Sequence, residues 1–217
     1  MSKLRTLNNL QDRLDHDIGW RIKELANLKL LVRGSDSLAK STAIRAAICI
    51  AYAHWEGFIK ESAENYVRFV ANQRMRFEEL SSCFVVFGAK KHLNELVDSR
   101  DAKVARSAVD FFRTKMADRA DLSLSNLIRT DSNLSSKVFA NILVSIGIED
   151  SLFSSRYKQI DNDLLNRRNR VAHGEYLDLD PIDCRQLVDD VILLLRQFKN
   201  QIENAATVKA YKLQPNV

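Results

Sequence analysis

No proline occurs in the first 180 residues, and the whole chain of 217 carries only two, at Pro181 and Pro215, together with six glycines. Average usage would make Gly and Pro roughly 12% of a chain between them, so helix breakers are scarce here. A β-sandwich or barrel needs frequent turns built on these residues, and a dinucleotide-binding fold needs a glycine fingerprint. Both are disfavoured, and a mainly helical chain is the expectation. With 46% hydrophobic and 28% charged residues there is enough apolar material for a sizeable core. The expected organisation is one all-α domain over residues 1–212 with a loose tail at 213–217.

Hydrophobic spacing places the elements. Leu4, Leu7, Leu10, Leu14, Ile18, Ile22, Leu25, Leu28 and Val32 recur at threes and fours, which predicts a long amphipathic helix over 2–33. Gly34 stands where a C-terminal cap would, and Ser35-Asp36-Ser37 offers caps for the next helix. So short a turn predicts two long antiparallel N-terminal helices. The second, over 38–74, would be a rod of about 55 Å with Ile48, Tyr52, Trp55, Ile59, Tyr66 and Phe69 along its seam. Gly57 within it fits a close helix approach, or equally a glycine merely tolerated at a cost of about 1 kcal/mol relative to alanine. The apolar run Cys83–Phe87 fits a buried strand as well as a helix. Shorter helices are expected over 90–98 and 102–116, with Leu93, Leu96, Val97, Val104, Val109 and Phe112 inward. A further helix carries Leu134, Val138, Ile142 and Ile146, capped by Asp131-Ser132-Asn133 and stopped at Gly147. These form an inserted segment before two last helices, over 154–173 and from Pro181 to about Ala205. Gly174 ends the first of these, and Asp180-Pro181 caps the second.

The balance of 33 basic to 28 acidic residues, a formal charge of +5, is compatible with a nucleic-acid partner without requiring one. Cys49, Cys83 and Cys184 are odd in number and widely spaced, so they read as reduced thiols in a cytoplasmic protein. No apolar stretch is long enough for a membrane span, and the N-terminus does not look like a signal peptide. Motifs for phosphate loops, nucleophile elbows and metal ligation are missing, so neither a metal nor a cofactor is expected.

One dense polar constellation remains, Asn166-Arg167-Arg168-Asn169-Arg170-Val171-Ala172-His173-Gly174. Arginine offers a forked donor to phosphate, and histidine exchanges protons near neutral pH. RNA supplies its own nucleophile in the 2′-hydroxyl, so these residue types suit phosphodiester cleavage. Arg168 and His173 lie five residues apart, about 140° around an ideal helix, and would converge more readily across a twofold axis than on one helix. The residues equally fit a solvated helix face whose cations favour the negative helix end.

Arg168-Asn169-Arg170-Val171-Ala172-His173 resembles the Arg-x4-His motif of the HEPN superfamily. Tyr52-Ala53-His54-Trp55-Glu56-Gly57-Phe58-Ile59-Lys60 and Thr130-Asp131-Ser132-Asn133-Leu134 resemble features of its stand-alone bacterial branch, RiboL-PSP-HEPN or MAE-type HEPN. The resemblance implies a helical bundle that dimerises across its Arg-x4-His segments and acts as a metal-independent endoribonuclease, commonly as a toxin or in phage defence. It implies Arg168 and His173 as the catalytic pair and Asn169 as their polar support. Arg167, Arg170 and Tyr176 are candidates for contacting RNA, and Glu56 for supporting the site, although an ion pair with Lys60 fits Glu56 as well. The expected partners are RNA, a second copy of the chain, and an antitoxin or defence-system protein. The same superfamily includes non-catalytic modules for dimerisation or for nucleotide or protein binding, which is the competing expectation.

Overall fold

The computed structural model of the chain describes residues 4–124, 128–130, 133–177 and 179–214, the side chains of residues 37 and 38 excepted. Its framework is all helical. Helices α1 (Leu7–Gly34) and α2 (Ser37–Asn72) run antiparallel, and the C-terminal helix α8 (Pro181–Thr207) packs against both. Between them lie α3 (Ser82–Asp98), α4 (Ala102–Thr114), α5 (Ser136–Ser145), the single turn α6 (Tyr157–Gln159) and α7 (Arg167–Ala172). Among the described residues no strand forms, and extended pairing is limited to isolated bridges such as Leu80 with Lys212. Leu213 is tied to the body as well, its N–H donating to the Glu79 carbonyl at 2.9 Å. No helix among the described residues is long and apolar enough to cross a membrane.

The seams predicted for α1 and α2 are buried, and α8 adds a third. Leu10, Leu14, Ile18, Leu25, Leu28 and Val32 of α1 meet Ile48, Trp55, Ile59 and Tyr66 of α2 and Leu187, Val191, Leu194, Phe198 and Ile202 of α8 in one core. An aromatic chain ties the inserted helix to this core: Phe139 of α5 meets Trp55 at 4.9 Å, Phe153 at 5.1 Å and Phe198 at 5.8 Å between ring centroids, mostly edge to face. Edge-to-face pairs of this kind contribute about 0.5–1.5 kcal/mol each beyond their buried area.

Caps explain most boundaries. Thr6 starts α1 with a capping box shared with Asn9, Asp36 accepts from the Ala39 N–H to start α2, and Asp180 with Pro181 starts α8 as expected. Gly34 proves to be the last helical residue of α1, and Ser35 in extended conformation is its cap. The N-cap of α5 is Ser135, whose side chain accepts from the Val138 N–H; of the expected Asp131-Ser132-Asn133 cap only Asn133 lies within the described residues.

Elsewhere the structure corrects the expectations. Of the two readings open for Cys83–Phe87 the helix is the one formed, and it continues through Gly88, which packs directly on the Phe77 ring, into 90–98 as the single helix α3. Leu96, Val97, Val109 and Phe112 are exposed, Val97 at 86%. Helix α4 packs chiefly on α3, with Ala108 buried and the Phe111 ring 5.4 Å from Phe77, while Val109 and Phe112 on its outer side stay exposed. The expected helix over 154–173 is helical throughout but irregular. Two 3-10 turns, Asp150–Leu152 and Ser154–Arg156, lead through α6 into a π-helical stretch, Ile160–Asn166, before regular α geometry returns at α7.

Gly57 does permit a close approach, by a side chain rather than a backbone. The Arg21 guanidinium of α1 lies against it, so a β-carbon there would sit 3.0 Å from Arg21 Nη1. Arg21 is buried, bonded to Asp17 through Nε at 3.1 Å, and lies 4.6 Å from the Trp20 ring. One turn back on α2, buried His54 places Nε2 2.7 Å from Glu24 Oε2 and packs edge-on to Trp20. Burial lowers the His54 pKa below its ordinary 6.5, outweighing the opposite pull of Glu24.

A histidine whose folded pKa is depressed binds its proton more readily in the unfolded chain. Stability therefore falls as pH drops below about 6.5, until the folded form also protonates. Thermal unfolding followed from pH 7.5 to 5.5 should show Tm declining, and the decline should be smaller in His54→Gln. Equal slopes would show that His54 contributes nothing to the pH dependence.

Candidate functional site

The polar constellation occupies α7 and the turn after it. That helix ends in a hydrogen-bonded cap with His173 at its centre: the His173 N–H donates to the Asn169 carbonyl at 2.9 Å, Gly174 N–H to Val171 at 3.1 Å, and Glu175 N–H to Arg170 at 2.9 Å. Gly174 has φ +74°, the left-handed conformation this cap requires and that a β-carbon makes costly. The glycine anticipated as a helix stop thus also sets the backbone on which His173 is displayed. His173 is exposed, as is Tyr176 at 78%.

Arg168 sits at the other end of α7 and faces inward. Its guanidinium carbon lies 3.8 Å from the centroid of the Tyr52 ring on α2, a cation–π stack, and its Nη2 donates to Asn133 Oδ1 at 2.9 Å. Each partner is itself held. The Tyr52 hydroxyl accepts the buried Leu134 N–H at 2.6 Å, and two residues on, Ser136 donates from its N–H and its hydroxyl to the Asp161 carboxylate at 2.8 and 2.6 Å. Segment 133–136 is therefore clamped between α2 and the π-helical stretch, with Asn133 at its edge presented to Arg168. Burial raises the Tyr52 pKa, which the Leu134 N–H and Arg168 counteract. Tyr52 is thus a neutral phenol at physiological pH, its ring face available to the cation.

The remaining candidates take separate places. Arg167 pairs with Asp163 one turn back at 2.9 Å. Arg170 folds over the turn, donating to Glu175 Oε2 at 3.3 Å and to the Tyr176 carbonyl at 2.7 Å. Both are bonded within the chain, so contact with a phosphate would require them to exchange or share these partners. Asn169 is half-buried, and its carbonyl supports the His173 N–H. Glu56 is half-buried one turn after Tyr52 on α2, where its charge acts on the Tyr52 hydroxyl. Among the described residues no three His, Cys, Asp or Glu side chains are grouped so as to hold a metal ion.

Sequence reasoning missed Arg45. Its Nη1 donates to the Glu175 carbonyl at 2.6 Å and its Nη2 to the Val171 carbonyl at 3.3 Å. Arg45, Cys49, Tyr52 and Glu56 recur at four, three and four residues, one face of a helix. That spacing is the sequence signal for this face, which lies beside the more strongly apolar core seam of α2. Cys49 lies between the two arginines; burial raises its pKa, and Arg168 and Arg45 oppose the rise.

A family model described as RiboL-PSP-HEPN matches residues 16–204, a span that includes Arg45, Tyr52, Asn133, Arg168 and His173. No curated protein and no solved structure matches the chain.

Gly174 has open space around its α-carbon, so a methyl group there meets only the backbone penalty. Gly174→Ala should lower stability by about 1–2 kcal/mol while leaving helix content unchanged, as read by denaturant titration and circular dichroism. No loss of stability would mean that the turn takes another conformation in solution.

Proposed function

The chain belongs to the RiboL-PSP-HEPN family, and from that membership we propose that it is a metal-independent endoribonuclease acting through Arg168 and His173. The observation that supports this reading is convergence. Three segments far apart in sequence, around Tyr52, Asn133 and Arg168, meet at one guanidinium whose direction they fix. A fixed cation and an exposed histidine at the two ends of α7 are suited to phosphodiester cleavage by an internal nucleophile, which needs charge stabilisation and proton transfer.

In this reaction the RNA 2′-oxygen attacks the adjacent phosphorus, the bond from phosphorus to the 5′-oxygen breaks, and a 2′,3′-cyclic phosphate and a 5′-hydroxyl result. His173 takes the 2′-hydroxyl proton or supplies one to the leaving oxygen, and Arg168 stabilises charge on the phosphoryl oxygens. Asn169 supports the pair. In a twofold dimer each face is presented twice, so Arg168 and His173 of both copies would share one cleft, with Tyr176 and the outer arginines Arg167 and Arg170 at its rim for the RNA backbone. The biological setting we assign is a cytoplasmic toxin or anti-phage effector, held in check by an antitoxin or a defence-system protein.

A second reading is favoured by the intrachain bonds of Arg167, Arg168 and Arg170. In it the same polar turn stabilises a non-catalytic dimerisation or binding module.

Cleavage of end-labelled total RNA in EDTA separates the two. The wild-type protein should cut and leave cyclic phosphate ends, whereas Arg168→Ala and His173→Ala should each cut at least about 100-fold more slowly, with unchanged helicity and mass in solution. Equal cutting by wild type and variants would overturn the assigned site. No cutting by any of them would favour the binding module.

A further inference from the structure

We propose that Arg45 is the positioning residue for His173, so that α2 rather than α7 sets the placement of both ends of the Arg168–His173 pair. This deepens the ribonuclease reading above and rests on it. Residues 172–176 are all exposed, and the nearest anchors are half-buried Val171 on one side and buried Leu177 on the other. The cap hydrogen bonds of Gly174 and Glu175 close the turn on itself but do not attach it to the rest of the molecule. Arg45 makes that attachment. Its two terminal nitrogens reach the carbonyls of Val171 and Glu175, two residues before and two after His173.

A guanidinium is a rigid planar fork, so bonding both carbonyls fixes the orientation of the turn as well as its distance from α2. The positive charge is also well placed against carbonyls at the negative end of a helix. Seven residues along the same face of α2, Tyr52 carries Arg168. Two helical turns, about 10.5 Å, therefore separate the residue that holds the cation from the residue that holds the histidine. Helix α7 has only six residues and follows a π-helical stretch, so on its own it is a poor ruler for this separation. Arg45 is assigned no contact with substrate; it acts through the turn.

The test uses the full chain and two variants, Arg45→Ala and Arg45→Lys. The chain has four histidines, His16, His54, His92 and His173, so the imidazole carbon–proton resonances are few, and His173→Ala assigns the one of interest. In Arg45→Ala the His173 resonance should shift or broaden while the other three stay in place. Turnover of a fluorescent mixed-sequence RNA oligonucleotide should fall about tenfold or more in kcat, with KM within about twofold. Arg45→Lys keeps the charge but cannot fork, so it should recover only part of kcat. An unmoved His173 resonance with unchanged kcat would overturn the proposal. A raised KM with unchanged kcat would overturn it too, placing Arg45 in contact with the RNA. If Arg45→Ala does not fold, Arg45→Lys decides: a displaced His173 resonance supports the proposal, and a coincident one overturns it. If the wild-type protein cleaves no RNA, the ribonuclease reading fails, while the resonances still report whether Arg45 holds His173.

Discussion

A guanidinium stacked on an aromatic ring has lost one face to solvent, and its edges must find acceptors lying in a single plane. Arg168 on Tyr52 imposes this condition, and much of the surrounding structure follows from it. The ring beneath the cation carries a hydroxyl that needs a partner of its own in a buried setting, which the Leu134 N–H provides. That bond fixes where segment 133–136 runs. Segment 133–136 then presents Asn133 to the guanidinium edge and hands Ser136 to Asp161. Asp161 belongs to the π-helical stretch that feeds into α7, so the loop of constraints closes on Arg168. Removing the Tyr52 hydroxyl would leave the buried Leu134 N–H without a partner, at a cost of about 1–3 kcal/mol.

Helix α2 serves three neighbours at once, and its 3.6-residue period keeps them apart. One stripe, Ile48, Trp55, Ile59 and Tyr66, is buried in the common core. A second, His54, Gly57 and Glu61, meets the charged groups of α1, where Arg21 lies between Asp17 and Glu61. The third, Arg45, Cys49, Tyr52 and Glu56, faces α7 and its turn. The buried Asp17–Arg21 pair contributes less to net stability than its proximity suggests, because desolvation offsets the attraction. Losing one partner alone would nevertheless be expensive, since the other charge would remain buried.

The parts legible in the sequence were those governed by local rules. Apolar periodicity located α1 and α2, Asp180-Pro181 marked the start of α8, and Gly147 and Gly174 marked ends that the backbone conformations bear out. The all-helical class followed from the scarcity of glycine and proline, and the family from the resemblance carried by Arg168–His173, Tyr52–Lys60 and Thr130–Leu134. What escaped depended on partners distant in the chain. Nothing local to Arg45 announces that carbonyls 126 and 130 residues away will meet it. Val97 and Val109 have the spacing of inward residues, but a period says which side of a helix is apolar and not whether anything covers it. The π-helical stretch was equally hidden, since its geometry accompanies the packing of Ile160, Leu164 and Leu165 into the core.

The arrangement around Arg168 and His173 draws on Arg45 and Tyr52 early in the chain, Asn133 in its middle and Gly174 late. A ribosome adds about 5–20 residues per second, so roughly 6–24 s elapse between the synthesis of Tyr52 and that of His173. Throughout that interval the growing polypeptide holds the platform without the groups that sit on it. No nascent chain shorter than this can assemble the constellation. Translation itself thereby acts as a timer, keeping the Arg168–His173 pair unformed until most of the helical body has left the ribosome.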